Sequence, residues 1–223
     1  TCALPICYQL LPSILNGIAI AYQAKGNNDS AIDYHLKALN EADRISDKHK
    51  QVEIYQEMGS AYLHTNYYTQ SFECYSKALK IAKELGIKHL LQSTSYFMGV
   101  GYTDQKKYDT AFNFLLTALK LAEELNYKDM MLNCVARIGD ICLSKKNYIK
   151  AIEYYTQSLN LSNTLSIHLE IGKSLERIGN TYSSMKDNRK AKLYYLQALS
   201  IIDTSEFLEN RRNIHAEDRK SVV

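Results

Sequence analysis

The chain has only two prolines and nine glycines among its 223 residues, and neither type is gathered into a run. No segment therefore has the composition of an interdomain linker or a low-complexity region. The longest apolar stretch, residues 14–22, is interrupted by Asn16 and Gly17 and is much shorter than the roughly 20 residues that span a bilayer. These absences predict one continuous array of packed elements without a membrane span.

An excess of charge of one sign is also missing. Lys and Arg number 27 against 24 Asp and Glu, which gives a formal net charge of +3. The sequence contains neither a stripe of basic residues nor a run of lysines and arginines interleaved with aromatics. Because binding to a phosphate backbone depends on such clusters, we expect no nucleic-acid partner for this chain.

Patterns of catalytic or metal-binding residues are missing as well. The cysteines have no CxxC spacing. Cys134 and Cys142 lie about two helical turns apart, but a metal or redox site there would need further ligands nearby. We therefore interpret both cysteines as small core residues. The histidines never form HExxH, and no phosphate-binding loop, GxSxG or nucleophile beside a base is present. Carboxylates such as Glu57 and Glu84 are interpreted as polar helix surface. We expect no catalytic residue, metal, cofactor or enzymatic activity here, whereas the cysteines neither imply nor exclude an oxidising compartment.

A period of forty residues dominates what is present. Glycines recur with this spacing, and tyrosines keep step with them, at Gly59, Gly99, Gly139 and Gly179 and at Tyr22, Tyr62, Tyr102 and Tyr182. Such self-similarity is typical of tandem repeat proteins, in which each copy buries its apolar face against its neighbours.

Three further columns follow the glycine column: a small residue, then a bulky one, then a small one. They read Ala31, Ser71, Ala111, Ala151 and Ala191; His35, Tyr75, Leu115, Tyr155 and Tyr195; and Ala38, Ala78, Ala118, Ser158 and Ala198. Since small residues let two helix backbones approach closely, each copy is predicted to be a hairpin of helix A and helix B, with the bulky residue filling the space that remains.

These columns resemble the tetratricopeptide repeat, whose pattern places Trp, Leu, Gly, Tyr, Ala, Phe, Ala and Pro at set offsets. The Leu position holds Ile18, Met58, Met98, Ile138 and Ile178. The Trp position departs from the pattern and reads Leu15, Tyr55, Ser95, Val135 and Leu175, and the Pro position reads Asp43, Lys83, Glu123, Asn163 and Asp203. Without that proline helix B need not stop, which allows a longer helix and a longer repeat. The chain is therefore similar to the extended, forty-residue repeats found in bacterial peptide-sensing regulators, in sensor regions of signalling proteins and in animal spindle-orientation adaptors. The resemblance implies an all-α fold, a right-handed α-solenoid of tandem helix-turn-helix hairpins.

The columns predict five repeats, at about 8–47, 48–87, 88–127, 128–167 and 168–207, and the start of a sixth over residues 204–217. Residues 1–6, TCALPI, and 218–223, DRKSVV, match translations of the two adapters used in short-read sequencing. We interpret both segments as adapter-derived, which leaves 7–217 as the repeat array. Without Asp218, Arg219 and Lys220 the formal net charge falls from +3 to +2.

In tetratricopeptide arrays the A helices line a concave groove that holds a segment of another protein, or a bent-back segment of the same one. The resemblance implies twelve residues in that groove here, called below the predicted groove residues: Asn16, Gln23, Glu53, Gln56, His64, Tyr96, Asp104, Asn133, Asp140, Lys173, Glu176 and Asn180. Most are polar, whereas a helix face buried by its own fold would be apolar, so they indicate a surface covered by water or by a partner. Their amides are expected to pair with the main chain of an extended peptide.

The predicted groove favours a neutral or basic partner, because its four carboxylates outnumber its one lysine and one histidine. A clamp for a terminal carboxylate is not expected, since Ile20, Ser60 and Val100 stand where the polar grip would sit. The first hypothesis is a protein-protein interaction scaffold. The alternative is the ligand- or peptide-sensing region of a bacterial signalling protein, a sensor histidine kinase or transcriptional regulator, with its effector domain elsewhere. A docking arm attached to a catalytic domain also remains open.

Overall fold

The structure is a computed structural model that describes residues 4–201, with side chains from residue 9 onward. The described residues form ten helices and no strand. The helices are α1 (Leu4–Ala24), α2 (Asn28–Arg44), α3 (Lys48–His64), α4 (Tyr68–Leu85), α5 (Lys88–Asp104), α6 (Tyr108–Glu124), α7 (Lys128–Ser144), α8 (Tyr148–Leu165), α9 (His168–Ser184) and α10, described over 188–201. The expected all-α class of tandem helical hairpins is confirmed.

The chain divides into two compact units, residues 1–125 and residues 126–223. The first contains the hairpins α1–α2, α3–α4 and α5–α6, and the second contains α7–α8 and α9–α10. We call the odd-numbered helices A and the even-numbered helices B. Within the first unit each helix packs on the next, and α3 also packs on α1 and α5; within the second unit α8 packs on α7 and α9.

Every described turn between two helices contains one residue with a positive φ, and these residues recur every twenty positions. They are Gly26, Ser46, Asn66, Gly86, Lys106, Asn126, Lys146, Ser166 and Lys186. In eight of these turns the residue that follows donates its N–H to a carbonyl in the last helical turn, as Asn147 does to Cys142 at 2.8 Å. This left-handed capping motif satisfies carbonyls that would otherwise lack partners, and it stops each helix without proline.

The first small column lies inside the hairpins, whereas Ala38, Ala78 and Ser158 of the second column also pack with residues of the A helix of the next hairpin. All ten residues of the two columns are buried. Where serine replaces alanine, its hydroxyl finds a partner: Ser71 donates to the Gly59 carbonyl at 2.8 Å, and the hydroxyls of Ser158 and Ser174 lie 2.8 Å apart. A serine is therefore tolerated at these crossings because it leaves no buried hydroxyl unpaired.

Neighbouring hairpins are joined by apolar clusters within each unit. In the first unit Ala38 and Ala42 of α2 pack with Ile54 of α3. In the second unit Leu159 of α8 packs against a cluster that contains Ile171 and Leu175 of α9. Helices α3, α5 and α9 thus each pack between two B helices, which leaves a narrower face for polar residues.

The glycine column is the tightest point of each hairpin. A Cβ atom added at Gly139 would lie 2.5 Å from Cε1 of Tyr155, and one added at Gly99 would lie 2.6 Å from Cγ of Leu115. Both bulky side chains are completely buried and have no room to retreat. The recurring glycine is therefore required by the bulky residue that crosses it.

The described helices include none that is both long enough and apolar enough to span a bilayer. Residues 1–3 of the first adapter-derived segment, the predicted start of the sixth repeat and the second adapter-derived segment lie outside the described residues. Residues 4–6 are the first residues of α1. The adapter interpretation stays a prediction.

We expect Gly139→Ala and Gly99→Ala each to destabilise the protein by about 1–3 kcal/mol, because the added methyl group enters a full crossing. Gly17→Ala is the matched control: Gly17 lies inside α1 with no atom within 4 Å of an added Cβ. It should gain about 0.5–1 kcal/mol from helix propensity. Urea titration followed by circular dichroism measures all three, and equal midpoints for Gly139→Ala and the wild type would contradict the packing argument.

Candidate functional site

The predicted groove residues lie on A helices throughout. Seven belong to the first unit, on α1, α3 and α5, and five to the second unit, on α7 and α9. Ten of the twelve are exposed or half-buried. The other two, Asn16 and Gln56, are buried, with 8% and 7% of their surfaces exposed.

Both buried amides are bonded to the protein itself. The Asn16 side-chain oxygen lies 2.9 Å from Nδ1 of His35, and the Gln56 amide donates to the hydroxyls of Ser93 at 2.8 Å and Thr94 at 2.6 Å. We had expected these amides to pair with a peptide main chain. Because they join helices of the first unit to one another, we remove Asn16 and Gln56 from the candidate surface.

His35 is held in its neutral form by its surroundings. Burial lowers its pKa from the usual 6.5 to about 4. Its Nε2 atom is buried and has no hydrogen-bond partner among the described residues. A proton added there would create a buried charge with nothing to stabilise it, so the neutral ring is part of the packing.

Two predicted groove residues of the second unit accept hydrogen bonds from tyrosines of the bulky column. The Tyr155 hydroxyl donates to Asp140 at 2.8 Å, and the Tyr195 hydroxyl donates to Asn180 at 2.7 Å. Burial and the charge of Asp140 raise the pKa of Tyr155, which keeps its hydroxyl a donor. The same Asp140 carboxylate lies 3.3 Å from Nε of Arg177. The sequence carried a signal for this link that we did not use: a polar residue directly after the glycine and a tyrosine fifteen positions later.

Tyr75 of the first unit lacks this partner. The residue after its glycine is Ser60, too short to take the role of Asp140, and the Tyr75 hydroxyl is buried without a hydrogen-bond partner among the described residues. The Tyr75 ring stacks on Phe97 with 5.9 Å between centroids. Tyr155 therefore fixes a half-buried carboxylate, whereas the ring of Tyr75 only fills space.

A cleft of about 520 Å³ opens in the first unit between α1, the turn that follows it, and α3. Its lining residues are Ile20, Gln23, Ala24, Gly26, Asn28, Glu57 and His64, of which Gln23 and His64 are predicted groove residues. The volume falls within the roughly 300–1,000 Å³ of ligand pockets. This cleft therefore gives one part of the predicted groove a volume typical of ligand pockets.

The position of Glu57 differs from the one expected from the sequence. We had taken it for ordinary helix surface, but it is half-buried and lines the cleft. Burial raises its pKa, and the nearby Glu53 raises it further. Glu53 itself is paired, with Lys50 and with His49 at 3.4 Å, whereas Glu57 has no cation paired with it among the described residues.

A second cleft in the first unit, of about 610 Å³, lies between α4 and the end of α5 and contains none of the predicted groove residues. Its wall includes Phe72 and Tyr102, whose rings stack with 4.2 Å between centroids. Gly101 makes room for this stack, because a Cβ there would lie 3.2 Å from the Phe72 ring. This cleft is a consequence of how two hairpins pack.

The described residues do not include a group of three or more His, Cys, Asp or Glu side chains placed to hold a metal ion. Cys74, Cys134 and Cys142 are free and buried. Burial raises the pKa of Cys134 to about 12 and that of Cys74, with smaller effects of its charged neighbours, to about 11. These two thiols therefore stay protonated at neutral pH and act as small core side chains.

Comparisons with known proteins agree with this architecture. The family model described as tetratricopeptide repeat matches residues 10–84, 91–164 and 130–203. No curated protein sequence matches the chain significantly.

Three solved structures have the same fold at low sequence identity. BtubC (BKLC) from P. vanneervenii superposes with a TM-score of 0.82 at 18% identity, over 91% of this chain and 84% of that one. A Signal Transduction ATPase with Numerous Domains that carries a tetratricopeptide repeat sensor, from Pyrococcus horikoshii, gives 0.77 at 23% identity, over 96% of this chain and 33% of that one. A Rap protein complexed with competence and sporulation factor gives 0.69 at 17% identity, over 92% and 58%.

We expect Tyr155→Phe to destabilise the α7–α8 hairpin by about 1.5 kcal/mol, because it removes a hydrogen bond to a charged group. Tyr75→Phe should cost nothing and can gain up to about 1 kcal/mol, since it removes a buried hydroxyl without a partner. Hydrogen exchange of peptides from each hairpin measures the two effects separately. Equal protection losses in both variants would contradict the assigned bonding.

The stability of the first hairpin should depend on pH through His35. Its folded pKa of about 4 is below the unfolded value of 6.5, so the contribution is complete above pH 6.5 and is lost as the pH falls towards 4. The slope is at most about 1.4 kcal/mol per pH unit. His35→Leu, which places the residue of the Leu115 copy at this position, should flatten the slope whatever it does to absolute stability. Urea midpoints at several pH values test this, and an unchanged slope would contradict it.

Proposed function

Because this chain belongs to the tetratricopeptide repeat family, we propose that it is a protein-protein interaction scaffold that holds a segment of a protein or peptide against the polar faces of its A helices. The scaffold has no chemistry of its own: it contributes shape, hydrogen-bonding groups and charge. Such a surface gives affinity through the main chain of the ligand and selectivity through the side chains that its clefts accept.

One observation carries the proposal. Helices α3, α5, α7 and α9 each bury six or more residues, yet ten polar or aromatic predicted groove residues of the A helices stay exposed or half-buried. In α7, for example, Asn133 is exposed between the buried Leu132 and Cys134. Packing does not require a polar side chain at such a position, so the Asn133 amide is available for a partner.

The charges support a neutral to basic partner mainly through the first unit. Glu57 and Asp104 there have no basic residue paired with them among the described residues. In the second unit Asp140 is balanced by Arg177, and Lys173 lies beside Glu170 at 2.7 Å, so Glu176 is the groove carboxylate there that has no cation paired with it among the described residues. A basic segment is therefore accommodated mainly on α1, α3 and α5, with Glu176 as a further acidic group on α9.

A second candidate function is the ligand-sensing region of a signalling protein. The observation that favours it is the likeness to the sensor of the Pyrococcus signal transduction ATPase, a protein of which this chain spans about a third. In this case the bound segment would shift an effector domain between two states. The gene sequence on both sides of this chain decides: an adjoining kinase or helix-turn-helix domain supports sensing, and further repeats support a scaffold.

Selection of random peptides displayed on phage, followed by fluorescence anisotropy of the selected peptides, tests the scaffold proposal. A groove variant carries Asp104→Ala, Asn133→Ala and Glu176→Ala. The matched control carries Glu123→Ala, Glu153→Ala and Asn160→Ala, which remove the same charge and one amide from exposed positions of B helices.

The groove variant should bind the selected peptides about tenfold more weakly, which corresponds to about 1.4 kcal/mol, and the control should match the wild type. Equal losses in the two variants, or selection of strongly acidic C-terminal tails, would count against the proposal.

A further inference from the structure

The cleft of the first unit contains a carboxylate for which the fold supplies no counter-ion. Glu57 and Arg177 occupy the same repeat position, two residues before the glycine column of their copies. In the second unit Nε of Arg177 lies 3.3 Å from Asp140, the residue directly after the glycine of the preceding copy. In the first unit that position is Ile20, which is apolar and lines the cleft opposite Glu57. Arg177 therefore has a charged partner on the preceding A helix, whereas Glu57 has an apolar residue there.

The surroundings of Glu57 do not replace the missing cation. On α3, Glu53 adds a second negative charge that Lys50 already neutralises, and His64 is the one basic group in the cleft lining. On α4, the neighbouring Tyr75 is buried and neutral at physiological pH. Burial, with Glu53, raises the pKa of Glu57, as expected for a carboxylate that lacks both full hydration and a paired charge.

We propose that this cleft receives a lysine or arginine side chain of the bound segment, with the Glu57 carboxylate as its counter-ion. This inference rests on the proposed function, and it specifies the chemistry of the ligand that the first unit of the protein binds. Ile20 and Ala24 cover the aliphatic stem of the incoming side chain, and the Gln23 amide lies on the same wall. A half-buried carboxylate gains more from a charge-assisted hydrogen bond than an exposed one does. Arginine is preferred over lysine, because its planar guanidinium can donate two parallel hydrogen bonds to a carboxylate.

The test uses the full chain, labelled with ¹³C and ¹⁵N, and a probe small enough to report on the cleft alone. Nα-acetyl-arginine N-methylamide is titrated into the protein, and the citrulline analogue, which has the same shape without the charge, is the matched ligand. We expect chemical shift changes centred on Ile20, Gln23, Glu57 and His64 with the arginine probe, and at least fivefold smaller changes with citrulline.

Two variants separate this cleft from general charge attraction. Glu57→Gln should reduce the response to arginine at least fivefold. Glu123→Gln, an exposed position of α6 in the same unit, should leave the response unchanged. Because Glu57 has no cation paired with it among the described residues, Glu57→Gln should also keep or raise the thermal midpoint. A lowered midpoint would indicate that the carboxylate is paired inside the fold and would overturn the proposal.

The remaining outcomes are also decisive. Shift changes that spread over exposed carboxylates, or that persist in Glu57→Gln, overturn the assignment. If displayed peptides bind the groove but the arginine probe does not perturb the cleft, this inference fails and the proposed scaffold function stands. If the probe binds the cleft but no peptide is selected, the cation site stands and the scaffold function fails.

Discussion

The structure depends on the crossing of two helices at a point where only glycine fits. In each of the later copies the A helix presents its glycine to a bulky side chain of the B helix, at a distance that excludes even one methyl group. The crossing sets the separation of the two helices, and that separation lets alanine or serine meet backbone on either side. The first copy has Ala19 instead of glycine, and its bulky position holds the smaller ring of His35. In that copy the added methyl group of helix A is therefore opposed by a smaller ring than the tyrosines of three later copies.

The bulky residue connects this packing to the polar face of helix A. Its ring fills the crossing, and its polar end reaches the A helix from below: Tyr155 bonds Asp140, Tyr195 bonds Asn180, and His35 bonds Asn16. Where the column holds Leu115 no such bond exists, and where it holds Tyr75 the hydroxyl has no partner among the described residues. The orientation of a groove side chain is in this way fixed by a residue of the core, fifteen to nineteen positions further along the chain.

Much of the fold follows from the sequence, because the residues that set it recur in every copy. The forty-residue period, the two small columns and the bulky column predict the hairpins and which residues they bury. The turns were harder to predict. Their left-handed residues recur every twenty positions, but glycine occupies only Gly26 and Gly86, so residue type alone does not reveal the pattern. Helix capping imposes that backbone conformation even on lysine and serine.

The polar face was predicted less completely, for a physical reason. A polar residue at an A-helix position fits the repeat pattern whether its side chain points to water or to a neighbouring helix. Whether that side chain is buried depends on the residues of the neighbouring helix. Gln56 is buried because Ser93 and Thr94 of α5 offer it hydroxyls. Asn133, which lies three positions earlier in its own copy than Gln56 does, stays exposed. Whether an amide is buried or exposed therefore depends on the hydrogen-bonding groups of the adjacent copy. A single repeat column does not contain that information.

Selectivity in a repeat array has to come from the positions where the copies differ, since identical copies would present identical surfaces. The position two residues before the glycine column shows how large the difference can be: it reads Gly17, Glu57, Phe97, Arg137 and Arg177. Arg177 is neutralised within its own unit by Asp140, so its charge is largely used by the fold. Glu57 lines an open cleft together with Ile20, and under the proposal above its charge meets the cation that enters. The same backbone position thus forms an ion pair within the fold in one copy and is proposed to recognise a ligand in another, because both the residue at this position and its partner on the preceding A helix differ between the two copies.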